Sequence, residues 1–321
     1  MKSLASLDQP LLAVPESGAV LPAIGGRLSA YLSLTKPRLV LLVLVTVAVG
    51  YLLGARDGAY PTTLAITLIG TAMVAGGAGA LNQWLERDRD AMMRRTASRA
   101  LPEGRLTAAE AVSFGVVLGI VGTLLLALGA NYLAATVALV TLLLYVFIYT
   151  PLKPLTTLNT AVGAIPGALP PLIGWGAATG RLGIEAWSLF LIVFLWQFPH
   201  FLAIAWIYRE DYRRAGFRML TAADERGRTT GCHAVSYALA LVPAGLLPAT
   251  IGLAGPRTLS FAGGPVPIYF AGALVLGLGY VMAAAQFWRD PTDLGARRLL
   301  RTSFVYLPAI LLLLLLNPPI Y

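Results

Sequence analysis

Asn82, Glu86 and Asp90 stand four residues apart in the run Asn82-Gln83-Trp84-Leu85-Glu86-Arg87-Asp88-Arg89-Asp90. On a continuous helix this spacing places their oxygens within about 80° of one face, and Asp88 falls on another. Three oxygen ligands at the end of an apolar segment suit Mg²⁺, which keeps some waters and shares its remaining positions with substrate phosphate. Carboxylates gathered on one face at a membrane boundary are expensive without a task. Arg94, Arg95, Arg99 and Arg105 follow closely, and guanidinium forks bind phosphate oxygens well.

A second acidic pair, Glu210-Asp211, lies among Arg209, Arg213 and Arg214. These carboxylates suit a second Mg²⁺ on the same diphosphate, and the arginines suit a departing anion. Lys153 is the only base in the segment Tyr149-Thr150-Pro151-Leu152-Lys153-Pro154 and is within reach of a phosphate. His200, in Trp196-Gln197-Phe198-Pro199-His200-Phe201, leaves two readings open. It is a buried histidine satisfied by a neighbour, or it binds an acceptor such as an iron porphyrin. Pro199 is expected to kink the helix around it.

The elements that must position these groups follow from composition. Of 321 residues, 57% are hydrophobic and only 12% charged, about half the usual charged share of a soluble domain; mean hydropathy is +0.74. A soluble globule could not cover so much apolar surface, and disordered chains are poor in apolar residues. An all-α integral membrane protein remains. Apolar runs of bilayer length lie near 39–56, 62–85, 109–129, 132–149, 159–178, 185–208, 234–254, 266–287 and 302–318. The fifth, rich in Gly and Pro, is expected to be broken, which a membrane tolerates where the backbone lines a cavity or is buried in protein; tight helix packing is the alternative use of its small residues. Residues 1–30 read as a flexible cytoplasmic tail and 31–321 as a single transmembrane domain. With the N-terminus inside, 21 of the 24 Lys and Arg fall in the inner segments, which orients the chain and sets both acidic motifs at the cytoplasmic face. The single cysteine, Cys232, excludes an internal disulfide, and two histidines leave any metal to oxygen ligands. The net charge of +9 belongs to this topology, and no nucleic-acid partner is expected.

Taken together, several runs resemble the UbiA-type intramembrane prenyltransferases, most of all the branch that farnesylates heme. They are Leu34-Thr35-Lys36-Pro37-Arg38, the Asn82/Glu86/Asp90 motif with Met93, Arg95, Thr96 and Arg99, the Tyr149–Trp175 segment, the Trp196–Phe201 segment, and Asp211-Tyr212 with Ala215-Gly216-Phe217, Met219 and Leu220. The resemblance is dense from Tyr31 to Leu220. Glu86 departs from a common aspartate, Ala100 from a common proline, and Pro154 from a common basic residue. The resemblance implies a UbiA-type bundle in the bacterial cytoplasmic membrane. Its implied substrates are farnesyl diphosphate and heme B, with Mg²⁺ as cofactor and heme O as product. A heme A synthase or a terminal-oxidase assembly protein is the implied partner. In this reading Asn82, Glu86, Asp90, Glu210 and Asp211 hold metal. Lys153, Arg94, Arg95, Arg99 and Arg209 serve the diphosphate, and His200 serves the acceptor. Two rivals stay open: a UbiA-type enzyme with an aromatic or quinone-precursor acceptor, and a membrane transporter.

Overall fold

A computed structural model of the protein describes residues 24–55, 58–255, 257–261 and 264–318. Most of the expected tail, residues 1–23, lies outside the described residues. The tail's last residues instead belong to a helix, α1 (Ile24–Leu34), whose Arg27 is ion-paired with Glu110.

Among the described residues, nine helical segments are long and apolar enough to cross a membrane. They begin with α2 (Pro37–Gly54), α3 (Pro61–Asp90) and α4 (Ala108–Gly129). Next, α5 (Tyr132–Leu143) continues through a π-helical turn at Leu144–Tyr149 into Thr150–Leu152. The fifth span is broken into α6 (Asn159–Ala168) and α7 (Pro170–Thr179), as its Gly and Pro content predicted. The sixth, α8 (Ile184–Ile207), stays helical through Pro199 and leads into two short helices, α9 (Arg209–Arg214) and α10 (Leu220–Ala223). Last come α11 (Arg228–Thr250), α12 (Ile268–Arg289) and α13 (Asp293–Leu316). A short antiparallel hairpin, β1 (Thr258–Phe261) with β2 (Gly264–Pro267), joins α11 to α12.

Hydropathy located the spans but not all their ends. The last was expected at 302–318, yet α13 begins at Asp293, where the Thr292 side chain accepts the Gly295 amide. The helix thus starts in its charged turn, where capping rather than apolarity decides. Similarly, Thr107 and Glu110 form a reciprocal capping box that starts α4.

The core is made of side chains facing between helices, including Tyr51, Leu126, Leu172, Ile173, Leu189, Ile192, Tyr280 and Tyr306. Many large apolar side chains face outward, among them Leu41, Leu124, Leu128, Val275 and Leu312, as lipid contact requires. Small residues bring the backbones together. A Cβ on Gly174 of α7 would lie 1.9 Å from the Val47 carbonyl oxygen of α2. Only glycine permits that approach, which fixes the broken span against the first one.

Candidate active site

The end of α3 carries the first motif. The helix runs without interruption to Asp90, so Asn82, Glu86 and Asp90 share one face and all three are buried. Each is met by a cation. Lys36 Nζ donates to Asn82 Oδ1 at 2.6 Å. Lys153 Nζ lies 2.6 Å from Glu86 Oε1 as an ion pair rather than an aligned hydrogen bond. Arg99 Nη1 donates to Asp90 Oδ2 at 2.6 Å.

Local structure explains these approaches. Lys36 adopts a left-handed conformation (φ 52°, ψ 58°) between α1 and Pro37. The following proline forbids continuing α1, and a non-glycine left-handed residue costs about 1–2 kcal/mol. Such strain is characteristic of functional sites, and here it turns the ammonium back onto α3. The Asn82 amide donates to Thr150 Oγ1 at 3.0 Å, and Thr150 donates in turn to the Tyr145 carbonyl at 2.8 Å. This chain fixes the amide orientation and leaves Oδ1 toward Lys36. The π-helical turn delivers Thr150 and Lys153 to α3.

Lys153 also lies 4.7 Å from the Tyr149 ring centroid and 5.8 Å from that of Phe217. Burial disfavours its charge, but the neighbouring Glu86 carboxylate outweighs this and holds the ammonium above its ordinary range. Burial, with the Arg99 guanidinium nearby, pushes the Lys36 ammonium down to about 7.

The second motif reaches the same end of the bundle. Arg89 donates to the Ala215 carbonyl at 3.1 Å, and Met93 packs with Ala215, Phe217 and Met219. The two acids there differ. Asp211 has a side chain only 13% exposed, with Arg214 at 2.6 Å, whereas Glu210 is 66% exposed, with Arg213 at 2.9 Å. Arg209 pairs with Asp293 at 2.7 Å, Arg95 covers the Tyr208 ring at 5.0 Å, and Arg94 is exposed. These three stand at the rim rather than on the α3 oxygens.

No three His, Cys, Asp or Glu side chains gather into a metal cluster among the described residues. The α3 oxygens nevertheless fit a hard cation that is shared with a phosphate ligand. Asp90 Oδ1 is buried with no hydrogen-bond partner, the donor set is all oxygen, and cations for the phosphate stand alongside.

From Lys36 an apolar cavity of about 470 Å³ extends between α2, α3, α5, α6, α8 and α13. Tyr145 and Tyr149 line it near Lys153, and Trp196, His200, Phe201 and Phe304 line it elsewhere. His200 is buried, its Nδ1 2.8 Å from Ser303 Oγ and its ring stacked on Trp196. Gln197 bonds the Ala164 carbonyl of the broken span at 3.1 Å. Sequence reasoning assigned no role to Lys36, Thr150 or Ser303. Lys36 and Thr150 stood within the resembling runs, but Ser303 carried no signal of its own.

Residues 43–314 match the UbiA prenyltransferase family. The protoheme IX farnesyltransferase of Solibacter usitatus is 45% identical over 298 residues, covering 90% of this chain and 98% of that protein. The protein of the same name from Koribacter versatilis is 39% identical, covering 98% and 99%. Among solved structures, a digeranylgeranylglyceryl phosphate synthase superposes with a TM-score of 0.73 at 18% identity, over 91% of this chain and 98% of its own. A UbiA homologue from Archaeoglobus fulgidus, bound to DMAPP and Mg²⁺, gives 0.64 at 14% identity, over 87% and 99%. The chain belongs to the UbiA prenyltransferase family and is a multi-pass membrane protein.

Proposed function

We propose that the chain transfers the farnesyl group of farnesyl diphosphate to a vinyl group of heme B, giving heme O. The observation that carries this reading is the continuous apolar cavity from Lys36, on the buried α3 oxygens, to His200 and Trp196. A diphosphate head held at the first end leaves its prenyl chain in the apolar space that an acceptor enters from the second. The acceptor and the chain length come from the relatives named protoheme IX farnesyltransferase.

In this reading Asn82, Glu86 and Asp90 hold Mg²⁺, with Asp211 serving from the second motif. Bound there, Mg²⁺ supplies positive charge to the diphosphate oxygens. Lys36, Lys153 and Arg99 turn from the α3 oxygens to the diphosphate and stabilise it as the allylic C–O bond breaks, the electron pair leaving with oxygen. Tyr145 and Tyr149 place aromatic rings in the cavity beside Lys153, and such rings suit a developing carbocation. The vinyl π electrons form the new C–C bond. Water then adds to the resulting cation beside the porphyrin ring and releases a proton, leaving a hydroxyethylfarnesyl substituent. The apolar walls keep water from the first cation. Arg94, Arg95 and Arg209 draw the anionic substrate to the rim.

The N-terminus and the diphosphate end face the cytoplasm of a bacterial inner membrane. This orientation rests on the placement of 21 of the 24 basic residues. The lipid-soluble product passes to a heme A synthase or terminal-oxidase assembly partner.

The test is to incubate membranes containing the chain with farnesyl diphosphate, Mg²⁺ and either heme B or 4-hydroxybenzoate, and to identify products by mass spectrometry. Farnesylated heme is expected, lost with EDTA and restored by Mg²⁺. Prenylated benzoate as the sole product would overturn the heme assignment.

A further inference from the structure

His200 is positioned by an element that the sequence motif does not include. Its Nδ1 lies 2.8 Å from Ser303 Oγ of α13. Ser303 directs its own hydroxyl proton to the Leu300 carbonyl at 2.6 Å. A serine hydroxyl has one proton to donate, so with that proton engaged, Ser303 Oγ accepts from His200 Nδ1–H. The imidazole is thereby held as the Nδ1–H tautomer, and Nε2 keeps its lone pair.

No described group bonds Nε2, and His200 lines the cavity. The ring is held on its other sides. Trp196 stacks on it at 4.8 Å, Phe304 of α13 meets it edge-on at 5.2 Å, and the Trp196 indole N–H donates to the Ser303 carbonyl at 2.8 Å. A neutral imidazole with one N–H engaged, the other nitrogen bare and its plane fixed is how proteins prepare a histidine to ligate a metal. His233, the other histidine, is exposed on α11 and bonds the Thr229 carbonyl. Tyr145 and Tyr149 also line the cavity, but beside Lys153.

On the reading that His200 binds the iron of a porphyrin acceptor, we infer that Ser303 is the positioning residue that sets the Nδ1–H tautomer and so presents Nε2 to the iron. This rests on the reading of heme as acceptor. Through the Ser303 hydroxyl and the Trp196–Ser303 bond, α13 fixes the acceptor relative to the diphosphate end.

The experiment uses the full chain in detergent, loaded with heme B and reduced with dithionite, and reads the iron–histidine stretching band by resonance Raman. The wild-type chain is expected to show the band. His200→Ala should lose it, and His200→Gly should regain an iron–imidazole band on addition of imidazole. Ser303→Ala keeps the backbone carbonyl that Trp196 uses. It should lower the band frequency, because a weaker Nδ1–H bond makes a less basic ligand, and weaken heme affinity about tenfold. Ser303→Thr should restore both. An unchanged band in His200→Ala, or a tyrosinate spectrum in the wild-type chain, would overturn the inference while leaving heme as acceptor intact. An unchanged band position in Ser303→Ala would remove the positioning role. Heme that neither binds the wild-type chain nor is farnesylated, while another acceptor is prenylated, would remove the reading beneath both.

Discussion

Lys153 Nζ lies 2.6 Å from Glu86 Oε1, so in the proposed reading the cation assigned to the diphosphate rests on a carboxylate assigned to the metal. Lys36 on Asn82 and Arg99 on Asp90 repeat the relationship. Without substrate, one oxygen of each α3 motif side chain is met by a cation. In the proposed reading, the diphosphate competes for the cations and releases the oxygens.

Metal and diphosphate should therefore bind cooperatively. Mn²⁺ followed by electron paramagnetic resonance should bind weakly to the chain alone and about 10- to 100-fold more tightly with a farnesyl thiodiphosphate present. Lys153→Met should improve Mn²⁺ binding alone while slowing transfer by roughly 10²-fold or more, the usual scale for losing a donor to developing negative charge. Equal Mn²⁺ affinity with and without the analogue would remove the exchange argument.

Lys36 should matter for substrate affinity. Lys36→Met removes a charged hydrogen-bond donor worth about 1.5–3 kcal/mol, so KM for farnesyl diphosphate should rise roughly 10- to 100-fold. Lys36→Arg should retain much of the affinity. A steady-state titration with saturating heme measures both, and an unaltered KM in Lys36→Met would place the ammonium outside the diphosphate site.

The two acids of the second motif should separate. Asp211 is 13% exposed and Glu210 is 66% exposed. Asp211→Asn should lower kcat/KM by about 10²-fold, whereas Glu210→Gln, a surface change whose ion pair contributes about 0–1 kcal/mol, should leave it within a few-fold. Comparable losses in both variants would restore Glu210 to the metal set.

Close helix packing predicts a stability contrast. In Gly174→Ala the new Cβ meets the Val47 carbonyl oxygen at 1.9 Å, which neither backbone can relieve without separating α2 from α7. Overpacking of this kind costs about 1–3 kcal/mol or more. Gly279→Ala, in α12 with nothing within 4 Å of the new Cβ, should be neutral or gain about 0.4–1 kcal/mol. Thermal unfolding in detergent compares them. A Tm for Gly174→Ala equal to that of the wild-type chain would show that the helices yield.

Much of this was legible in the residues because it depends on local geometry. The i, i+4, i+8 spacing of Asn82, Glu86 and Asp90 fixes their common face on any helix, and α3 keeps that helix to Asp90. The hydropathy runs fixed nine crossings because a bilayer imposes a length, and the prolines and glycines of 159–178 broke the fifth. The start of α13 was less legible, since a cap rather than apolarity sets it.

By itself, then, the sequence determined the class of protein, the face that carries the Asn82, Glu86 and Asp90 oxygens and the chemistry those oxygens suit. The tertiary structure decided which side chains meet them. Lys36 reaches Asn82 across 46 residues of chain, and Ser303 reaches His200 across 103. No periodicity encodes such pairs. They exist because Gly76 and Gly79 let α3 approach residues 34–36 closely, and because α13 packs on α8, which brings distant segments within hydrogen-bond reach.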